Sequence, residues 1–431
     1  MPSINDSSGQ VAAHPLSRLV AVERHEITGL LASFAMFFAL LAAYYIVRPV
    51  RDEMGVAAGE NAIHRLFTVV FFVMLAAVPA FGLVASRVPR RLVLPGLYAF
   101  FVFNLIAFWA VFRFWGTSSA AAATFFVWAS VFNLFVVSLF WSLMSELWST
   151  QEAKRLYGFI GAGGTAGALA GPLLAQGLLS LLQPIDLLPV SGTLLLAALV
   201  ASLLLRAIRP GHGDHETEPA GGGILDGAVK VFTDPFFARI AAYVLLANIV
   251  GTFFYMEQSR LVGATIADSA ERVRFFASRD LAVSVLTLTV EVIGTAYVLN
   301  RLGVAVALMT LPVVATLGIF ALGNHATLWV VAAVMVAERV VAFSLSSPAI
   351  KLMYTFAGPA EKYKVQSFID TVVYRGGDAA SGWAFALLGA GAGFAGAALP
   401  AIALGFTALW LWDARALAAT YNERARSLAQ H

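Results

Sequence analysis

Long apolar runs follow one another along this chain, each near the ~20 residues a helix needs to cross a hydrocarbon core. Twelve lie near residues 28–49, 64–86, 92–113, 121–146, 155–182, 187–207, 236–260, 277–299, 303–322, 326–350, 366–390 and 395–413. They are too long and too continuous for the short alternating strands of a barrel. The pattern predicts an all-α membrane protein with twelve transmembrane helices. Between the sixth and seventh runs the chain turns polar, with Gly211-His-Gly-Asp-His-Glu-Thr-Glu-Pro and Gly221-Gly-Gly. Residues 208–235 therefore read as a flexible linker between a bundle over 27–207 and a second over 236–413, with polar ends 1–26 and 414–431.

Tyr44-Tyr-Ile-Val-Arg-Pro-Val-Arg51 and Phe253-Phe-Tyr-Met-Glu-Gln-Ser-Arg260 stand 209 residues apart, and each ends a long apolar run. The same offset places Glu152-Ala-Lys-Arg155 over Glu361-Lys-Tyr-Lys364. One offset at two places indicates a duplicated membrane unit, as in many secondary transporters, and hence two pseudo-symmetric halves.

Composition agrees with a membrane protein: 60% of residues are hydrophobic, 12% are charged, and mean hydropathy is +0.81. Cysteine is absent, which excludes disulfides and thiolate metal sites. Net charge is only +3, and the basic residues lie mainly between apolar runs. They orient the chain rather than bind nucleic acid, which is not an expected partner. By the positive-inside rule both termini are cytoplasmic. One loop objects: 261–276 should be external yet holds Arg272 and Arg274. Residues 1–26 lack the order of a cleaved signal, so the first run is expected to stay as an anchor. His212 and His215 read as solvated linker residues, and no metal or cofactor is expected.

The loop Gly82-Leu-Val-Ala-Ser-Arg87-Val-Pro-Arg90-Arg91 resembles the loop 2–3 signature of the major facilitator superfamily, with Ser86 and Pro89 departing from it. The resemblance implies an inter-helix clamp at the cytoplasmic face, with arginines reaching helix C-terminal carbonyls. The rival reading is a plain positive-inside loop.

A charge at bilayer depth costs at least ~2.5–3.5 kcal/mol, so those that persist face a water-filled cavity or a partner. Candidates are Arg48, Arg51, Glu146, Glu257, Glu291, Glu338, Arg339, Lys351, Asp370, Arg375 and Asp378. Arg48 and Arg51 are three apart, so on a helix both can grip one anion, the rival reading being that Arg51 with Asp52 and Glu53 is merely the outer end of the first helix. Guanidinium meets two oxygens of a phosphate or carboxylate at once. Glu257, at the repeat-equivalent position of Arg48, is expected to neutralise it in the empty carrier, either as a substrate-sensitive pair or as a permanent ion pair. Glu146 is either a gate or proton carrier, or a snorkelled helix end. Glu338 and Arg339 are neighbours that cannot share a helix face, and are expected in structural pairs with other helices. Lys351, after Pro348, and Arg375, before Gly376-Gly377, are binding candidates because those residues permit irregular helix, with cytoplasmic snorkelling the rival reading for Lys351. Gly161-Ala-Gly-Gly-Thr-Ala-Gly-Ala-Leu-Ala-Gly171 lacks the Gly-Lys-Ser/Thr ending of a phosphate loop and fits close helix packing instead.

Four segments resemble the ATP:ADP antiporter (nucleotide transporter) family, which has a major facilitator fold. They are Tyr45-Ile-Val-Arg48-Pro-Val-Arg51-Asp52, Phe140-Trp141 to Glu146 with Glu152-Ala-Lys-Arg-Leu-Tyr157-Gly, Glu257, and Ser344-Leu345 with Pro348, Met353-Tyr354, Ile369-Asp370 and Arg375-Gly376. Pro49, Ser347 and Ile350 stand where that family has two Asp and a Lys, and Lys351 replaces the latter only if the helix is distorted near Pro348. The resemblance implies nucleotide exchange.

The expected protein is therefore a non-enzymatic carrier in the cytoplasmic membrane that moves a small anionic, phosphorylated metabolite by alternating access, with membrane lipid around it and no oligomer required. No nucleophile, base and orienting group stand out as a set. Arg48, Arg51, Glu257, Lys351 and Arg375 are the expected substrate residues. Glu146, Glu152, Lys154, Arg155, Glu361, Lys364 and Asp370 are expected in coupling or gating. Gly82, Arg87, Arg90 and Arg91 form the clamp. Exchange, proton symport, an amphipathic solute and a non-transporting sensor or assembly protein all stay open.

Overall fold

A computed structural model describes residues 22–59, 62–87, 90–209, 224–356, 359–389 and 393–429. His212 and His215 fall outside the described residues, as do the side chains of Gly82, Arg90, Arg91 and Glu361. The apolar runs become helices α1 (Ile27–Ala57), α2 (Ile63–Arg87), α3 (Arg90–Trp115), α4 (Ser119–Leu147), α5 (Thr150–Leu178) and α6 (Leu187–Ile208) in the first half. The second half holds α7 (Ile224–Thr233), α8 (Pro235–Thr265), α9 (Ser269–Val290), α10 (Val304–Asn324), α11 (Leu328–Val341), α12 (Ser347–Met353), α13 (Pro359–Phe368), α14 (Tyr374–Gly389) and α15 (Ala398–Ala429). Continuous through π-helical turns, α11 with α12 and α13 with α14 each form one span. The described residues thus form an all-α membrane protein whose helices group into twelve segments in two pseudo-symmetric six-helix bundles. Nine helices among the described residues are long and apolar enough to cross a membrane.

Local chemistry sets the helix ends. Ser118 caps α4 by accepting from the Ala121 amide, and Ser149 with Glu152 forms a reciprocal capping box on α5, satisfying two otherwise orphan donors. α1 and α8 are each 31 residues long, the clearest sign of the duplication. Each bundle has its own apolar core, but the cores are interlocked: Val273 and Ala277 of α9 enter the first, and Ile63 of α2 enters the second.

α5 lies against α1 along its glycines. A Cβ at Gly163 would meet the Phe34 carbonyl oxygen at 2.5 Å, and one at Gly167 would collide with the Phe38 carbonyl. The small-residue run therefore serves close helix packing.

Three expectations change. The polar 208–235 segment contains a helix, α7, which packs on α13 with Phe232 against Phe368 (ring centroids 6.3 Å). The expected tail after 413 is a continuation of α15 to Ala429. The loop 261–276 is mostly helix, and its unexpected arginines are occupied at the contact between the bundles. Arg272 lies 3.7 Å from Glu53 of α1, and Arg274 donates to the Leu179 carbonyl, just past the end of α5.

Candidate functional site

A cavity of about 430 Å³ lies between the bundles, lined by α1, α2 and α4 on one side and by α8, α10, α11, α12 and α14 on the other. It joins Arg48 and Arg51 of α1 with Arg339, Lys351 and Arg375 of the second half. Three carboxylates, Glu338, Asp370 and Asp378, share it, with Tyr44, Tyr255, Tyr354 and Tyr374 among the aromatic lining.

Helix irregularity shapes the second-half wall. π-Helical turns cover Ala342–Ser346 before Pro348 and Ile369–Val373 before Gly376. Phe343, Ser346 and Asp370 of these turns face the cavity. Such turns widen the helix and re-aim side chains, and both Ile350 and Lys351 line the wall as a result.

Arg51 is held from both bundles. Its guanidinium contacts Asp52 at 2.9 Å, lies over the Phe126 ring at 4.8 Å, and donates to the Tyr255 oxygen at 3.5 Å. Tyr255 donates in turn to Asp52 at 3.1 Å. Arg48 faces Asp280 of α9 at 3.4 Å. Asp280 is also held by Arg279 at 2.8 Å, whose guanidinium reaches Asp52 at 2.7 Å. Arg48, Asp52, Arg279 and Asp280 are all buried. In low dielectric such charges must be paired or lie open to a ligand.

Deeper on the second-half wall, Arg375 contacts Asp378 at 3.3 Å, and Asp378 accepts from Thr252 at 3.1 Å. Asn248 donates to the Tyr374 carbonyl, which ties α8 to α14. Among the described residues Glu338, Arg339 and Lys351 make no hydrogen bond or ion pair. The expectation of structural pairs for Glu338 and Arg339 is overturned: both open onto the cavity.

Other expected residues sit elsewhere. Glu257 does not meet Arg48. Fully buried, it contacts Arg260 at 2.7 Å, beneath the turn at Gly393, where an added Cβ would strike its carboxylate. Arg260, one turn further along α8, takes the Glu257 carboxylate, while Arg48 turns to Asp280 of α9 instead.

Glu146 is gripped by both terminal nitrogens of Arg206, at 3.1 and 2.9 Å. Glu152 caps Ser149 (2.8 Å) and pairs with Arg209 (2.9 Å), which stacks on Trp148 at 3.7 Å. Arg155 reaches Glu26 at 2.6 Å. These contacts all lie within the first half. Lys154 and Arg87 are exposed, as are Asp370 and Glu291, and Lys364 is half-buried. His25, Glu26 and Glu152 bring ligand atoms within 4.8 Å, but Arg155 and Arg209 already hold both carboxylates, as in an ion-pair network.

Asp52, Tyr255, Arg279 and Asp280 are site residues that reading the sequence missed. The available signal was the adjacent Arg279-Asp280 pair just inside an apolar run.

The architecture is the major facilitator fold. The chain is similar in structure to the POT family transporter PepTSo, with a TM-score of 0.66, 13% identity, and coverage of 93% of this chain and 98% of that one. It is also similar to the nucleoside transporter NupG, with a TM-score of 0.61, 14% identity, and coverage of 93% and 99%. A bacterial homologue of the iron transporter ferroportin, in an inward-facing state, gives 0.63, 15%, and coverage of 92% and 98%. No protein-family model matches the sequence, and no curated protein does.

Proposed function

We propose that this chain is a secondary transporter of the cytoplasmic membrane that moves an anionic, phosphorylated metabolite by alternating access, with a nucleotide as the leading substrate. The observation that carries this reading is the chamber between the halves, where five cations face three carboxylates. Guanidinium and ammonium donors at this depth, of which Arg339 and Lys351 make no ion pair among the described residues, suit an anion, and the aromatic lining suits a ring system beside it. The nucleotide assignment rests on the resemblance of the α1, α4–α5 and α11–α14 segments.

With cytoplasmic termini, the C-terminal ends of α1 and α8 are external. The bundles meet there through α1 with α9, α5 with α9, and α2 with α14. On that orientation the chamber belongs to an inward-facing state.

Thermal stability of the purified protein against ATP, glucose 6-phosphate and malate tests the reading, since a ligand held by the folded state raises the melting temperature. A shift with a phosphorylated anion, followed by its uptake into proteoliposomes, is expected. No shift and no flux with any anion would end the proposal. A second reading, proton coupling, is favoured by Glu338, a cavity carboxylate that makes no hydrogen bond or ion-pair contact among the described residues. Glu146 and Glu257 are instead engaged by arginines. Uptake driven by an imposed pH gradient, and lost in Glu338→Gln, is the expected signature.

A further inference from the structure

The closed end of the chamber is sealed by charges belonging to different helices, and their neighbours in sequence matter as much as their partners in space. Three cations (Arg48, Arg51, Arg279) meet two carboxylates (Asp52, Asp280). Within this cluster the contacts that cross from α1 to α9 are Arg48 to Asp280 at 3.4 Å and Asp52 to Arg279 at 2.7 Å, and nearer the helix ends Arg272 of α9 also reaches Glu53 of α1 at 3.7 Å. Each helix also carries its own adjacent pair, Arg51 with Asp52 at 2.9 Å and Arg279 with Asp280 at 2.8 Å.

If α1 and α9 part, Asp52 keeps Arg51, and Asp280 keeps Arg279. Arg272 then leaves Glu53 nearer the helix ends, and within the cluster α1 keeps two cations, Arg48 and Arg51, on the single carboxylate Asp52, so that Arg48 is the one left without a direct ion pair. A buried charge stripped of its partner is strongly unfavourable, so this residue resists opening. Its bond to Asp280 is also the loosest in the cluster, because the Asp280 Oδ2 atom that faces it has no aligned hydrogen bond. Arg48 lines the chamber at the same time.

We infer that Arg48 and Asp280 form an anion-released lock: an anion in the chamber replaces Asp280 as the counter-charge of Arg48, and only then can this end of the interface open. Arg51–Asp52 and Arg279–Asp280 stay intact on their own helices throughout. The inference rests on the anion-carrier reading for the identity of the trigger. The lock itself makes a claim that can be read without any ligand.

The chain has no cysteine, so single cysteines report without background. Ser284 of α9 is half-buried in the seam, donating to the Ala168 carbonyl of α5 at 3.3 Å. Ser284→Cys reports opening of this end. Ser347→Cys, on the chamber wall, reports the opposite movement. Maleimide labelling is measured on purified protein in anion-poor buffer.

Arg48→Gln is expected to raise Ser284→Cys labelling at least ~10-fold, a change of ~1.4 kcal/mol, and to lower Ser347→Cys labelling. Asp280→Asn should raise Ser284→Cys labelling only weakly, because Arg279 then loses its last carboxylate when the helices part. In the protein with native Arg48, one of ATP, glucose 6-phosphate or malate should raise Ser284→Cys labelling about as much, with no further rise in Arg48→Gln.

Slow labelling in Arg48→Gln would overturn the lock. A rise at both cysteines would do the same, since it marks loosening rather than a switch. No response to any of the three anions would overturn anion release. A response to malate or glucose 6-phosphate but not to ATP would instead remove the nucleotide assignment and leave the lock standing.

Discussion

The seam between α1 and α5 allows a sharp test, because its glycines divide by what stands opposite them. At Gly163 and Gly167 an added methyl meets α1 backbone, namely the Phe34 carbonyl at 2.5 Å and the Phe38 carbonyl, with the Ala42 nitrogen at 2.9 Å. Backbone in a helix cannot swing aside as a side chain can. Real Cβ contacts stay beyond 3.0 Å, so α1 must retreat by about half an ångström or more. At Gly161, two residues away, nothing stands within 4 Å. Overpacking typically costs ~1–3 kcal/mol, whereas an exposed helix Gly→Ala gains up to ~1 kcal/mol. Gly163→Ala and Gly167→Ala should each shorten the inactivation half-life of the purified protein by roughly five- to thirty-fold for ~1–2 kcal/mol. Gly161→Ala should leave it unchanged or longer. Because α1 also carries Arg48 and Arg51, transport should fall more than stability does. Equal half-lives for Gly161→Ala and Gly167→Ala would refute the packing argument.

Arg260→Ala leaves the fully buried Glu257 without that cation and should cost about 3–5 kcal/mol, read as lost thermal stability with little change in ligand affinity in the surviving protein. Arg339→Gln and Lys351→Gln remove cavity cations that make no hydrogen bond or ion-pair contact among the described residues, so each should weaken binding of the stabilising anion ~10-fold or more, with melting temperature in its absence almost unaltered. Glu146→Gln loses a half-exposed pair with Arg206, worth about 1 kcal/mol or less, and should transport with an unaltered pH profile.

The spans and the duplication were legible because a membrane helix announces itself by length and apolarity, and α1 and α8 kept the same length. The polar residues that line the chamber were legible for a related reason: Arg48, Arg51, Lys351 and Arg375 are costly in lipid unless something faces them. Their partners were not. Arg48 and Asp280 are separated by 232 positions, and nothing in a single sequence fixes which helix faces show across the interface. Repeat symmetry placed Glu257 opposite Arg48 in sequence, but Glu257 is held by Arg260 of its own helix. Adjacency correctly denied Glu338 and Arg339 a mutual pair, yet could not tell a structural partner from an open chamber. Arg279 and Asp280 escaped because they stand near the start of an apolar run, where a charge reads as a helix end.

α7 gives the connection between the halves a mechanical character. Its Gly227 sits so close to the Lys364 carbonyl that no larger residue fits there without displacement, and the helix leads directly into α8. The connector is therefore strapped to the second bundle like an outrigger, and it moves with that bundle. A spliced-in tag or fluorophore placed between α7 and α8 would load the bundle itself.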